Sequence, residues 1–166
     1  MKKNSLVILG TVVVIVTLVG SYFLFAGGQN QTVKVASYAL TDKQKPKAEA
    51  KTTLSDMGQI KVSDQKDSVF TLKNTGGKPL QLFNISSSCG CTAGQIIIEG
   101  KESKEFGMHS QSDEIFEIGP QKEAKVKVIY RPYVMPVYGL VEREVYVSTN
   151  DPTNQKLVFK VKAYVK

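Results

Sequence analysis

The stretch from Ser68 to Ser86, SVFTLKNTGGKPLQLFNIS, contains two runs of alternating apolar and polar residues joined by NTGGKP. Alternation with a period of two places one face of each run in a core and the other in water. Asparagine, glycine and proline are favoured in turns because each suits the backbone of a reversal. This stretch therefore predicts two antiparallel β-strands joined by a turn.

The same pattern continues along the rest of the chain after residue 54, with turn residues between the runs. No segment of useful length has a helical period. Seven or eight short antiparallel strands without crossover helices are typical of an immunoglobulin-like β-sandwich. The sequence thus predicts an all-β fold, with the further runs Gln59–Val62, Gln95–Glu99, Glu114–Ile118, Ala124–Tyr130, Arg143–Ser148 and Leu157–Val165.

The core of this predicted sandwich must be held by packing. Tryptophan is absent, and the two cysteines are near neighbours, so they cannot form a disulfide between distant strands. The predicted core residues are Phe70, Leu72, Leu82, Ile85, Phe116, Ile118, Val126, Val128, Val145, Val147, Val158, Phe159 and Val161.

An apolar segment without charge, Leu6–Ala26, follows Lys2 and Lys3 at the amino terminus. As a helix it would be roughly 30 Å long, which matches the hydrocarbon core of a bilayer. We predict that residues 1–26 form one N-terminal transmembrane helix; the alternative is a signal segment cleaved near residues 26–28. Lysines on both sides nearly balance the positive-inside count. Because the amino-terminal tail is short, we expect a single-pass protein of the cell membrane with its carboxy-terminal domain outside the cytoplasm.

Residues 27–53 are polar and rich in lysine and alanine, which predicts a flexible linker before a sandwich spanning residues 54–166. The formal net charge of +7 is concentrated before the sandwich, because residues 1–53 carry seven lysines and only two acidic residues. Lysines beside a membrane can contact anionic lipids, anionic envelope polymers or envelope proteins. The sandwich lacks a basic stripe with interleaved aromatic residues, so we expect no nucleic-acid binding.

Four stretches together resemble a known family: FTLKNTGGKPLQLFNISSSCGCT, IGPQKEAKVKVIYRP, REVYVSTNDP and LVFKVKAYV. They are similar to exported bacterial proteins defined by a domain of unknown function, a family related to Hydin-like (ASH) and major-sperm-protein-like immunoglobulin folds. The resemblance covers roughly residues 54–166. It implies an extracytoplasmic, often membrane-tethered binding or scaffold module of the cell envelope rather than an enzyme. It also implies that Asn74–Gly76 form the turn after a strand and that Cys89–Cys91 form a signature bend.

The C-x-C pair, Cys89 and Cys91, has three possible uses. On an extended strand the two Cα atoms would be roughly 6.5–7 Å apart, at the upper limit for a disulfide, and Gly90 would allow a bend that brings them closer. A disulfide across three residues removes little chain entropy, which makes a purely stabilising crosslink the poorest use of the pair. Thiol–disulfide exchange is a second use, although no helix amino terminus is predicted here to activate a thiol.

A soft-metal site is the third use of the pair. His109, the only histidine, together with Met108 and Met135, could complete a site with Cys89 and Cys91. Thiolate, thioether and imidazole ligands together select Cu(I), and Zn(II) is the alternative if a fourth ligand exists. Against this, a lone histidine is more often a surface residue, and methionine often fills gaps.

Other constellations carry little chemistry. A serine hydrolase would have His109 as its only base and lacks a G-x-S-x-G elbow. Asp151 has too few carboxylate neighbours for calcium and predicts an Asx-turn. Glu142–Glu144 predict the solvated start of a strand. We therefore expect a non-enzymatic binding or scaffold module, with Cu(I) binding and envelope thiol–disulfide exchange as the alternatives.

Overall fold

The protein is described from a computed structural model, which places residues 34–110 and 112–166. The predicted transmembrane helix and the first residues of the predicted linker lie outside this described part. Among the described residues, no helix has the length and apolar character needed to cross a membrane.

Two five-stranded sheets form a β-sandwich, as predicted. In spatial order, the first sheet contains Ala48–Ala50 (β1), Lys66–Asn74 (β3), Glu123–Tyr130 (β8), Thr92–Ile98 (β5) and Lys101–Glu102 (β6). The second contains Leu54–Ile60 (β2), Lys156–Val165 (β10), Gly139–Thr149 (β9), Leu80–Ser87 (β4) and Phe116–Ile118 (β7). A short 3-10 helix, Pro132–Val134, follows β8. Every predicted run overlaps a strand, although Gln59–Val62 shares only its first two residues with β2. Strands β1 and β6 were not predicted.

The expectation of purely antiparallel pairing is wrong at one edge of the second sheet. Strand β2 pairs parallel to β10, with Leu54 opposite Lys160 and Ile60 opposite Val165. Alternation of side chains is the same in parallel and antiparallel strands, so the sequence pattern cannot distinguish the two directions. The remaining pairs in both sheets are antiparallel.

The core lies between the two sheets, where the Phe70 and Phe159 rings pack 5.2 Å apart between centroids. Eleven of the thirteen predicted core residues are buried, and Phe116 and Val158 are only partly buried. Val158 and its neighbour Phe159 point to opposite faces of β10, so only one of them can enter the core. Phe116 lies on the edge strand β7, which leaves part of its ring uncovered.

The predicted boundary between linker and sandwich, at residues 53 and 54, differs from the structure. Ala48–Ala50 form β1 and pair antiparallel with Leu72–Asn74. The Ala48 side chain is buried. A strand of three residues, Ala-Glu-Ala, is too short to give a recognisable hydrophobic period, so composition alone assigned it to the linker. The sandwich therefore includes residues that the sequence predicted to be flexible.

The N-T-G turn holds this early segment in place. Asn74 is fully buried, and its side-chain carbonyl accepts hydrogen bonds from the amides of Lys47 and Gly76, at 3.3 and 3.0 Å. Its amide group donates to the carbonyls of Lys78 and Ile118. Buried polar groups must be hydrogen-bonded, and Asn74 satisfies both of its ends. The implied turn is present, and it also anchors the chain before β1.

The loop between β9 and β10 completes this end of the sandwich. The Thr153 amide donates to the Asp151 carboxylate at 2.8 Å, which is the predicted Asx-turn. The same carboxylate accepts hydrogen bonds from the Ala48 amide and the Asn154 side chain. The C-x-C segment lies at the opposite end, between β4 and β5.

Candidate functional site

The C-x-C segment is a disulfide-bonded turn at which the chain crosses from one sheet to the other. Cys89 and Cys91 form the disulfide, and their Cα atoms are 5.3 Å apart. The Thr92 amide donates to the Cys89 carbonyl at 3.3 Å, which closes the turn. Because the chain reverses here, the Cα atoms are closer than they would be on an extended strand. The disulfide is therefore present; the sequence analysis disfavoured it only as a purely stabilising crosslink.

The residues around the cysteines fix the turn. The Ser87 hydroxyl donates to the Cys89 carbonyl at 2.8 Å. Ser88 makes two bonds with the backbone of Glu144: its amide donates to the carbonyl, and its hydroxyl accepts from the amide. The Thr92 hydroxyl lies 3.2 Å from the Cys89 sulfur. Serine and threonine thus supply the hydrogen bonds that an irregular crossover cannot obtain from a sheet partner.

Gly90 lies in the bend that it was predicted to permit. It is not among the residues with positive φ, so the backbone there does not require glycine. It is exposed, and a Cβ atom built on it would lie 3.7 Å from the Met135 sulfur, an ordinary contact distance. The loop that contains Met135 therefore lies against the cysteine turn.

Arg143 is the residue of this site that the sequence interpretation missed. Its Nε atom donates to the Cys91 sulfur at 3.2 Å, and its guanidinium carbon lies 5.6 Å from the centre of the Tyr130 ring. Burial raises the pKa of the Tyr130 phenol, and the charge of Arg143 opposes this rise. A signal was available: Arg143 shares the inward-facing period of β9 with Val145 and Val147, so it is not a solvated strand start.

The loop with Met108 and His109 is exposed at the same end. A Cβ atom on Gly107 would lie 3.7 Å from the Thr92 carbonyl oxygen, so this loop runs beside the turn. In residues 34–110 and 112–166, no group of three or more His, Cys, Asp or Glu side chains is placed to hold a metal ion. Since the disulfide occupies both sulfurs, soft-metal binding stays a prediction for the reduced protein.

Large exposed apolar side chains cluster at this end. Leu140 is 73% exposed and Tyr138 is 66% exposed. We call this cluster the disulfide-end surface; it comprises Met108, Tyr133, Val134, Met135, Val137, Tyr138 and Leu140. Exposed apolar side chains that are grouped, rather than scattered singly, mark interaction sites.

Backbone and side-chain bonds hold the segment that carries most of this surface. The Arg131 amide donates to the Cys91 carbonyl at 2.8 Å. Its guanidinium binds both carboxylate oxygens of Glu105, each at 2.7 Å, and the side chain of Gln65. A bidentate arginine–carboxylate pair has a defined geometry, so the segment leaves the cysteine turn in a fixed direction.

The two packed sheets define the class of protein, an immunoglobulin-like β-sandwich. The chain belongs to the family described as protein of unknown function (DUF1573), whose model matches residues 48–165. That match begins at Ala48, the first residue of β1. The predicted resemblance to a family with a domain of unknown function and an immunoglobulin-type fold is thus confirmed.

The chain is also similar to several solved structures. A protein of unknown function from Porphyromonas gingivalis W83 has a TM-score of 0.56 and 23% identity over 76% of this chain, which spans 50% of that protein. The PapD-like domain 7 of human CEP192 has a TM-score of 0.48 and 14% identity, covering 81% of this chain and 97% of that domain. The CupB2 chaperone of Pseudomonas aeruginosa has a TM-score of 0.43 and 11% identity, covering 70% and 55%. No curated protein matches the sequence significantly.

Proposed function

We propose that this chain is a binding or scaffold module of the bacterial cell envelope. It is tethered to the cell membrane by its N-terminal apolar segment, displays the sandwich outside the cytoplasm, and binds a protein partner through the disulfide-end surface. The observation that carries the proposal is the concentration of exposed apolar side chains between Tyr133 and Leu140.

The composition of the surface suits protein binding. Tyrosine and methionine are enriched at the cores of protein interfaces, and lysine and glutamate are depleted there. The segment from Pro132 to Leu140 contains two tyrosines, a methionine and no charged residue. Tyr138 and Leu140 are more exposed than the other large apolar residues among those described. A partner that covers them would gain apolar burial without having to desolvate a charge.

The surface is also free of the described part of the tether. The Ala36 amide donates to the side chain of Gln81, and the Ala48 amide donates to Asp151. Both contacts lie at the end of the sandwich opposite the cysteine turn. The described residues before β2 thus leave the disulfide-end surface open to a partner.

Site-specific photo-crosslinking of the full chain in intact cells tests the binding surface. A photoreactive residue at Tyr138 is expected to give a discrete crosslinked protein band. The matched control is Val69, which lies on β3 and is 52% exposed. A photoreactive residue at Val69 should give no crosslinked band. Leu140→Glu should weaken the Tyr138 product by introducing a charge into the interface. Equal products from Tyr138 and Val69 would contradict the proposal.

A second measurement addresses location. Intact cells treated with a membrane-impermeant amine reagent should show labelling of the chain, because the domain carries many lysines outside the cytoplasm. Labelling only after lysis would place the domain inside. The full chain should also remain with the membrane after a high-salt wash if the apolar segment is an uncleaved anchor.

A further inference from the structure

We propose that the Cys89–Cys91 disulfide is a thiol–disulfide exchange site that oxidises a protein dithiol. Cys89 is the sulfur under attack, and Cys91 is the leaving thiolate, which Arg143 stabilises. This inference adds a reaction to the binding role and does not depend on the disulfide-end surface having a partner.

The reaction consists of two successive thiol–disulfide exchanges. One substrate thiol loses its proton to solvent, and the thiolate attacks Cys89 Sγ. The Cys89–Cys91 bond breaks, and its electron pair leaves on Cys91 Sγ. The second substrate thiol then attacks its partner sulfur in the mixed disulfide, forming the substrate disulfide, and its proton passes to Cys89 Sγ. Two electrons thereby move from the substrate dithiol to the cysteine pair, and a disulfide-bonded oxidant regenerates the pair by the same steps in reverse.

Accessibility selects the sulfur that is attacked. Cys91 is buried, with 2% of its surface exposed, whereas Cys89 is only partly buried and adjoins the exposed Gly90. Exchange rates depend on which sulfur an incoming thiolate can reach. Attack at Cys89 makes Cys91 the leaving group.

Arg143 makes Cys91 the better leaving group. A nearby guanidinium lowers the pKa of a thiol, and a thiol with a lower pKa leaves faster. The Arg143 Nε atom lies 3.2 Å from Cys91 Sγ, whereas the neighbour of Cys89 Sγ is the neutral Thr92 hydroxyl. Arginine thus supplies the positive charge that a helix amino terminus supplies in other exchange proteins.

The charge of Arg143 is not committed to a carboxylate within the part of the chain that the structure describes. Its other hydrogen bond goes to the backbone carbonyl of Glu142. The side chains of Glu142 and Glu144 instead pair with Lys160 and Lys162. Arg143 therefore remains available to a thiolate when the disulfide opens.

Loop length favours reversibility. A disulfide gains little from restricting the unfolded chain when it closes only three residues. Stabilisation of the reduced state by Arg143 makes the disulfide a better oxidant. Both effects favour a disulfide that exchanges over one that is permanent.

The test uses the full chain in detergent, equilibrated with mixtures of reduced and oxidised glutathione, then acid-quenched and alkylated. Mass spectrometry gives the fraction of the folded protein that is reduced. At a pH above both thiol pKa values, Arg143→Gln is expected to shift the equilibrium constant about tenfold toward the disulfide, which corresponds to one pKa unit of thiolate stabilisation. The matched control is Lys127→Gln, because Lys127 is also a cationic side chain on a central strand, and it pairs with Glu102. It should leave the equilibrium unchanged.

A second measurement distinguishes a change in thiol chemistry from misfolding of a variant. In Cys89→Ser and Cys91→Ser, the pH dependence of alkylation gives the pKa of the remaining thiol. Cys91 should titrate at least about one unit below Cys89, and Arg143→Gln should abolish that difference. A disulfide that excess reduced glutathione cannot open in the folded protein would overturn the proposal. Equal shifts from Arg143→Gln and Lys127→Gln, or equal thiol pKa values, would also overturn it.

Discussion

The carboxylate of Asp151 accepts a hydrogen bond from the backbone amide of Ala48 at 2.9 Å, although the two residues are 103 positions apart in the chain. The bond joins the first strand of the sandwich to the loop before the last. Asp151 is fully buried, and a buried charged carboxylate is stable only when hydrogen-bond donors such as the Ala48 amide surround it. The relationship explains why a segment with the composition of a linker is ordered.

Asp151→Asn is expected to lower the free energy of unfolding by about 1–3 kcal/mol at pH 7, because one buried donor loses its acceptor. Burial by itself would raise the pKa of Asp151. The hydrogen bonds from Ala48, Thr153 and Asn154 together lower this pKa by more than burial raises it, so it lies below the ordinary 3.8. A carboxyl group whose pKa is lower in the folded state than in the unfolded state stabilises the fold at pH values above its unfolded-state pKa. That stabilisation is lost as the pH falls through its folded-state pKa.

The difference between Asp151→Asn and wild type should therefore shrink below about pH 4. Urea unfolding at several pH values measures it. The control is Asp113→Asn, because the Asp113 side chain is 91% exposed. Parallel pH profiles for wild type and Asp151→Asn would refute the assignment.

The early segment should contribute to stability as a unit. A fragment of residues 34–166 is expected to unfold at a higher temperature than a fragment of residues 54–166. The shorter fragment lacks β1, so the edge of β3 and the Asp151 carboxylate lose their partners. Thermal unfolding followed by circular dichroism compares the two. Equal melting temperatures would show that β1 contributes nothing.

Gly76 and Gly77 are adjacent glycines with different surroundings. A Cβ atom on Gly76 would lie 2.3 Å from the Lys45 carbonyl oxygen, whereas one on Gly77 meets nothing within 4 Å. Gly76→Ala should therefore destabilise the protein by about 2 kcal/mol or more, because the obstructing atoms are backbone. Gly77→Ala should stay within about 0.5 kcal/mol of wild type. Chemical denaturation of both variants tests the contrast, and similar losses would disprove it.

Gly94, not Gly90, is the glycine of the cysteine segment that the packing requires. A Cβ atom on Gly94 would lie 2.5 Å from Val145 Cγ1 and 3.2 Å from Ile85 Cγ2. Gly94→Ala should cost about 1–3 kcal/mol through overpacking. Gly90→Ala should be nearly neutral and should retain the disulfide. Adding Val145→Ala to Gly94→Ala should cost less than the two separate losses combined, and strict additivity would contradict the contact.

Soft-metal binding predicts behaviour that depends on reduction. If the cysteines, His109 and the methionines form a site, the reduced full chain should take up about one Cu(I), and the oxidised chain none. Cys91→Ser should abolish uptake, and His109→Ala should weaken it. Competition with a chromogenic Cu(I) chelator measures both. Undiminished uptake by Cys91→Ser would end this hypothesis.

Much of the fold follows from local pattern. Alternation located the interior strands and most of the core, because a half-buried strand must present apolar residues at every second position. The same rule applies to Arg143. It lies two residues before Val145 in β9, so alternation places it on the inward face although both of its neighbours are charged. Strand β1 and the parallel pairing of β2 carry no such signal. Three residues are too few to establish a period, and the direction of a strand leaves its alternation unchanged.

The sequence by itself determined that strands form, which face of each is apolar, and that two cysteines flank one glycine between β4 and β5. Tertiary structure alone decided that Arg143 reaches the Cys91 sulfur, 52 positions away, and that Asp151 holds Ala48. A period of two specifies the face of a residue but not the strand or register it will meet. Those are set when two sheets pack into one core, and that packing brings the charge to the sulfur.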